Sequence, residues 1–265
     1  MSNGSNRTLA LVSGEGGTGK SVLAANLGVA LALAGKKVVL VDADLAMPDL
    51  GVYLGLEKSP ITLHEVLAGE ASVSQALYDG PAGCQVIPSG LSLSGFSRAN
   101  PQRLSLVVQE LSKQFEVVIL DCPPGLSKEG VVPLTVAQEA ILVVNPDLAA
   151  LADALRVKMM CEMVDTKLLG SVVNRVGLTK GEVPAREAGS MLDTPVLAVI
   201  PEDEEMRKST SLKVPIVMRK KDNPVSKAIG ALARRLAGEE AGSPPASESK
   251  QKQKRGSIFG SLLRK

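Results

Sequence analysis

Aromatic side chains are nearly missing from this chain of 265 residues, which holds two tyrosines, three phenylalanines and no tryptophan. A base-stacking platform for single-stranded nucleic acid has no material here. His64 is the only histidine, which removes histidine-based zinc or triad chemistry and leaves it a surface or satisfied core role. Cys84, Cys122 and Cys161 are dispersed and form no C-x-x-C pair. Such spacing fits a reducing compartment and supplies no metal or iron–sulfur ligand set. An excess of one charge is lacking too, with a formal net charge of +2. A globally basic footprint is therefore absent, and no sequence-specific nucleic-acid partner is expected. Arg219-Lys220-Lys221 and Arg234-Arg235 read as solvated faces. No apolar run reaches the ~18 residues of a spanning helix. The opening Met1-Ser2-Asn3-Gly4-Ser5 is polar rather than signal-like, so the chain is expected to stay in the cytosol.

What is present is apolar material in short runs: Leu9–Val12, Val38–Val41, Val86–Ile87, Val117–Leu120, Ile141–Val144, Ser171–Val173 and Val196–Ile200. They are rich in Val, Ile and Leu on both faces, as strands buried on both sides of a parallel sheet must be. Between them lie helical patterns, including Ser21–Ala34, Gln102–Gln114, Ala149–Val164 and Pro224–Ala237. The alternation predicts an α/β fold with a doubly wound, mostly parallel sheet flanked by helices. Residues 1–237 are expected to form that domain, 238–255 a flexible linker of Ser, Pro, Glu, Lys and Gln, and 256–265 an amphipathic helix.

Gly14-Glu15-Gly16-Gly17-Thr18-Gly19-Lys20-Ser21 fits G-x-x-x-x-G-K-[ST] between the first run and the first helical pattern. That context makes it a phosphate cradle. Glycines let backbone N–H groups turn toward phosphates, and the helix start adds its positive dipole end. Lys20 would reach the β/γ-phosphates and the Ser21 hydroxyl would sit on Mg²⁺. Polar residues close the predicted strands on one rim: Asp42 and Asp44, Asp121, Asn145-Pro146-Asp147, Asn174-Arg175 and Pro201-Glu202-Asp203. Ligands of open parallel sheets bind at that rim. Mg²⁺ takes one or two protein oxygens besides water and phosphate, so Ser21, Asp44 and Asp121 are its candidate ligands. Asp44 is placed to orient or deprotonate an attacking water, while Asp42 either joins the site or caps a loop. Cys122, beside Asp121, reads as a small packing residue.

The loop from Ser13 to Ser21, Asp42-Ala43-Asp44 and Asp121-Cys122-Pro123-Pro124-Gly125 together resemble the MinD/ParA family of deviant Walker-A ATPases, archaeal MinD-like proteins in particular. The likeness spans most of residues 8–237. It implies ATP and Mg²⁺ as cofactors, hydrolysis of ATP to ADP and phosphate with Lys20, Asp44 and Asp121 as the catalytic set, and an ATP-dependent homodimer. It places Asp44 in switch I and Asp121 with Gly125 in switch II. Asn174, Arg175, Pro201 and Asp203 fall on adenine-binding elements, and Asp153 on an interface carboxylate. One departure stands out: the family's signature lysine, which contacts the partner's nucleotide across the dimer, would fall at Glu15. A carboxylate ~5 Å from one phosphate charge costs ~3 kcal/mol at an effective dielectric of ~20. Glu15 then turns away to pair with a cation, or weakens the ATP dimer and its turnover, or is a loop residue whose job another cation performs.

Ile258, Phe259, Leu262 and Leu263 share one helix face, with Lys250, Lys252, Lys254 and Arg255 before them and Arg264-Lys265 after. The pattern reads as an interfacial helix drawn to anionic lipid, and it resembles the membrane-targeting tail of MinD proteins. Burying four such side chains yields ~6–12 kcal/mol, against ~10–15 kcal/mol to order about ten residues, with up to ~1 kcal/mol returned per basic residue. One tail is marginal, and two on a dimer gain by effective concentration. The expectation is a cytoplasmic switch, reversibly bound to the inner face of the cell membrane, that positions an unidentified protein partner. A weakly catalytic nucleotide-gated scaffold and a ParA-type partition ATPase using DNA as its matrix are the competing readings. A tail that docks on its own domain, or binds other polyanions, competes with the membrane reading.

Overall fold

Strict alternation of buried side chains along Leu9-Ala10-Leu11-Val12 sends Leu9 and Leu11 to one apolar layer and Ala10 and Val12 to the other. The same period of two recurs in Val38–Val41 and Val117–Leu120, so a single sheet divides two cores. The computed structural model describes residues 6–126 and 128–239. The tail residues Ile258, Phe259, Leu262 and Leu263 lie outside them.

Eight strands form this sheet: β1 Arg7–Val12, β2 Val38–Asp42, β3 Tyr78–Asp79, β4 Gln85–Ile87, β5 Val117–Asp121, β6 Glu139–Val144, β7 Lys167–Val176 and β8 Val196–Pro201. Their order is β3-β4-β2-β5-β1-β6-β7-β8. Every pairing is parallel except that of the two-residue edge strand β3 with β4. The helices are α1 Lys20–Leu33, α2 Leu50–Tyr53, α3 Leu63–Ala68, α4 Leu93–Arg98, α5 Leu104–Leu111, α6 Lys128–Val136, α7 Leu148–Met163, α8 Ala185–Leu192, α9 Glu204–Ser211, α10 Ile216–Arg219 and α11 Pro224–Ala237. Residues of α1, α10 and α11 share the apolar layer of Leu9 and Leu11; those of α3, α5, α7 and α8 share the layer of Ala10 and Val12.

All seven expected strands are present, and the predicted helix Pro224–Ala237 matches α11. The segment expected as helix over Gln102–Gln114 is shorter, a 3₁₀ turn at Pro101–Arg103 leading into α5. Helix α1 sits tightly on the sheet: a β-carbon on Gly28 would lie 2.4 Å from Cδ2 of Leu40. His64 is buried and only half satisfied. Its Nε2 meets the Leu45 carbonyl at 3.0 Å, whereas Nδ1 has no partner among the described residues.

Candidate nucleotide site

Because the strands run together, the loops after β1, β2, β5, β7 and β8 open at one edge. They enclose a cleft of about 820 Å³ with the glycine loop as its floor. Two glycines of that loop are there for space and conformation. A β-carbon on Gly14 would lie 2.5 Å from the Asp153 carbonyl carbon and 2.7 Å from the Ala154 nitrogen, so the loop lies directly on the α7 backbone. Gly19 caps α1 at φ 86°, a left-handed conformation that favours glycine, and its missing side chain leaves room for the Asn174 amide. Asn174 Nδ2 donates to the Thr18 carbonyl at 2.7 Å, tying β7 to the loop.

Lys20 begins α1 and is buried; its Nζ lies 2.9 Å from Oδ1 of Asp121, the last residue of β5. Burial would lower the Lys20 pKa, but the Asp121 carboxylate overcomes this and holds it above the usual range. Among the described residues, Oδ2 of Asp121 is buried without a hydrogen-bond partner. Asp42 stands beside Asp121 in strand register and accepts from the backbone N–H groups of Asp44 at 3.2 Å and Leu50 at 3.1 Å. It therefore caps the loop that carries Asp44. Burial pushes the Asp42 carboxyl well up, with Asp121 and Asp44 adding to the rise. Asp44 is raised chiefly by burial, and its Oδ1 accepts from Met47 N at 3.0 Å. Among the described residues no three His, Cys, Asp or Glu side chains form a metal cluster. A divalent cation here would share its ligands with the phosphates, and the open Oδ2 of Asp121 fits a hydrated Mg²⁺ whose waters need acceptors.

Ser21 lines the same cleft, with Glu15, Gly16, Gly17, Thr18, Asp44, Asn174, Arg175, Pro201 and Asp203. Gly14 and Gly125 do not line it; Gly125 instead donates its N–H to the Ser13 carbonyl at 2.9 Å, docking the loop after β5 on the phosphate loop. At the far end Arg175 reaches the Gly17 carbonyl at 3.3 Å and Glu202 at 2.9 Å. Burial opposes ionisation of Glu202, but Arg175 and Arg207 hold its carboxyl below the usual range. Asp203 caps α9 by accepting from Glu205 N at 2.7 Å and also meets Asn223 Nδ2 at 3.0 Å. Sequence reasoning missed Tyr53, Met206 and Arg207, which also line the cleft; no motif marks them.

Glu15 has no lysine or arginine within ion-pair distance among the described residues. Partial burial raises its pKa first, and the charges of Asp147 and Asp153 raise it further. Both neighbours belong to α7, where Asp147 is the N-cap and Asp153 pairs with Arg156 at 2.7 Å. Of the three readings of Glu15, pairing with a cation is therefore the one that the described residues do not show. Cys122 is fully buried against the core, and burial pushes its thiol strongly up, as a packing role requires.

A glycine loop between strand and helix, with a lysine and an aspartate joined beneath it at the rim of a parallel sheet, defines a phosphate-loop nucleotide-binding domain. The profile of the CobQ/CobB/MinD/ParA nucleotide binding domain matches residues 9–216. An uncharacterized ATP-binding protein of Methanocaldococcus jannaschii is 41% identical over 230 residues, covering 87% of this chain and 87% of its own. The crystal structure of the Pyrococcus furiosus cell division ATPase MinD superposes with a TM-score of 0.86 at 36% identity, covering 89% of this chain and all of that one. The septum site-determining protein MinD of Pyrococcus horikoshii, complexed with Mg-ADP, gives 0.84 at 36% identity, with 87% and 96% covered. The chain belongs to the MinD/ParA family of P-loop ATPases.

Proposed function

We propose that this protein is a MinD-type switch that binds ATP with Mg²⁺, dimerises around it and hydrolyses it to ADP and phosphate. The observation that carries this reading is the buried Lys20–Asp121 pair under the glycine loop, with the second Asp121 oxygen left open. In that role the residues from Gly14 to Ser21 hold the phosphates, and Lys20 balances their charge. When bound, Mg²⁺ would supply positive charge to offset that of the phosphates. Ser21 and Asp121 would hold it with its water, and Asp44 would orient the attacking water. Positioning and electrostatics suffice for phosphoryl transfer, and no covalent intermediate is needed. Asn174, Arg175, Pro201 and Asp203 take the adenine end. Asp44 and Gly125 sit on the two loops that would sense the γ-phosphate.

Among the described residues no helix is long and apolar enough to cross a membrane. Membrane attachment is assigned to Ile258, Phe259, Leu262 and Leu263, and the positioned cargo is a protein partner. Calorimetric titration with ATP and Mg²⁺, followed by phosphate release, tests the site. Heat that is the same with and without nucleotide sinks the reading. Co-sedimentation with anionic vesicles in ATP, in ADP and after removal of residues 250–265 tests the tail. A slower variant of this function, a nucleotide-gated scaffold, is favoured by one observation: Glu15 faces Asp147 and Asp153 rather than a cation.

A further inference from the structure

Asp44 reaches the cleft from the loop that joins β2 to α2. One side chain closes both ends of that loop, since Asp42 accepts from Asp44 N and from Leu50 N. Inside it, Met47 N turns back onto Asp44 itself. Among the described residues, one hydrogen bond leads from residues 45–48 out of the segment 42–50: His64 Nε2 to the Leu45 carbonyl at 3.0 Å. Leu45 directly follows Asp44, so this hold acts one peptide unit from the carboxylate. A carbonyl oxygen only accepts, so Nε2 carries the hydrogen and Nδ1 the lone pair.

We infer that His64 is a positioning residue for hydrolysis, holding through Leu45 the loop that presents Asp44 to the nucleotide. His64 does not line the cleft, so it acts through the loop and not on the substrate. Its own place is fixed from three sides. The Thr62–Glu65 box starts α3, and Leu63 N donates to the Pro88 carbonyl at 2.9 Å, tying that helix to the end of β4. β-Carbons on Gly90 and Gly95 would stand 3.0 and 3.1 Å from Nδ1, so two backbone segments lie against that edge of the ring. Phe96 meets the ring edge-on, with centroids 6.3 Å apart. The imidazole is 1% exposed, and the Leu45 carbonyl is its one polar contact among the described residues. A buried donor left unmade costs more than its bond contributes. Displacing the Asp44 loop would leave both ring nitrogens without a partner, so the loop has one preferred place and α3 sets it. The inference rests on the reading of Asp44 as the residue that orients the attacking water.

The test compares the full chain with His64→Leu, His64→Gln, Asp44→Asn, and Asp44→Asn combined with His64→Leu. Glutamine keeps an N–H donor about as far from the backbone as Nε2, whereas leucine fills the space without one. Three quantities are read: ATP affinity by calorimetry, phosphate release in a single turnover, and amide hydrogen exchange without nucleotide. His64→Leu should slow release about tenfold, or ~1.4 kcal/mol of barrier, while ATP affinity stays within about twofold. The amides of Asp44, Met47 and Leu50 should exchange about tenfold faster while those of β2 keep their protection. His64→Gln should restore release and exchange to within about threefold. With Asp44→Asn already present, His64→Leu should slow release by less than about twofold, because no carboxylate is left to position. If β2 loses protection in His64→Leu, His64→Asn takes its place, since its amide stops short at the position of Nδ1. Unchanged release, unchanged loop exchange, a parallel loss of affinity, no rescue by glutamine, or a full further loss in the double variant would each overturn the inference. Slow release by Asp44→Asn beside fast release by His64→Leu removes only the inference. Fast release by Asp44→Asn removes the reading of Asp44 and the inference with it.

Discussion

Lys20 Nζ and Asp121 Oδ1 meet at 2.9 Å although 101 residues separate them in sequence, and both side chains are almost wholly withdrawn from water. The strand that ends at Asp121 and the helix that begins at Lys20 are thereby joined beneath the glycine loop. Lys20→Met should abolish ATP binding and, by leaving a buried carboxylate unpaired, cost ~3–5 kcal/mol of stability. Urea unfolding of Lys20→Met, and of Lys20→Met with Asp121→Leu, checks this. The double variant should recover most of the lost stability and none of the binding.

Gly14→Ala should damage the fold and the site together, because the new β-carbon meets the backbone of Asp153 and Ala154, which cannot move aside as a flexible side chain would. The expected loss is ~1–3 kcal/mol, the usual range for an overpacked site, with weaker ATP binding in calorimetry. Unchanged stability would mean that the loop does not press on α7.

Asp44→Asn should keep ATP binding and slow hydrolysis by ~10²-fold or more, the usual worth of a positioned general base. Single-turnover phosphate release is the measurement. A parallel fall in affinity would point to a role in holding the nucleotide instead.

Glu15→Lys should raise ATP-dependent dimerisation and turnover, since it replaces the charge that repels phosphate. Equal, fast rates for both chains would refute this. Glu15 has a raised pKa, so its charge is lost as pH falls through that raised value. The original chain should therefore bind ATP relatively better as pH falls, and Glu15→Lys should lack this trend.

His64 supplies a stability signature. Burial lowers its pKa below 6.5, although its contact with the Leu45 carbonyl favours the protonated form. The unfolded chain takes up the proton first on acidification. The contribution is thus complete above about 6.5 and declines as pH falls through that value. Unfolding free energies from about pH 7 to about pH 5 should fall more steeply for the original chain than for His64→Gln.

Strands announced themselves in the sequence because burial on both faces leaves Val, Ile and Leu in unbroken runs. Tyr78–Asp79 escaped because two residues at an antiparallel edge have no such run. Short helices such as α2 and α10 carry too few residues for a period of 3.6. Helix α3 could have been found from the box formed by Thr62 and Glu65, whose side chains satisfy each other's backbone. The phosphate loop was legible as a motif because its conformation requires glycine at fixed places. The acidic surroundings of Glu15 and the cleft-lining Tyr53, Met206 and Arg207 were not, since each depends on which distant segments the topology brings to the rim.

The close seating of Gly28 against Leu40 sets how near the first helix lies to the middle of the sheet, so any larger residue at position 28 has to displace the Leu40 side chain or lift the helix.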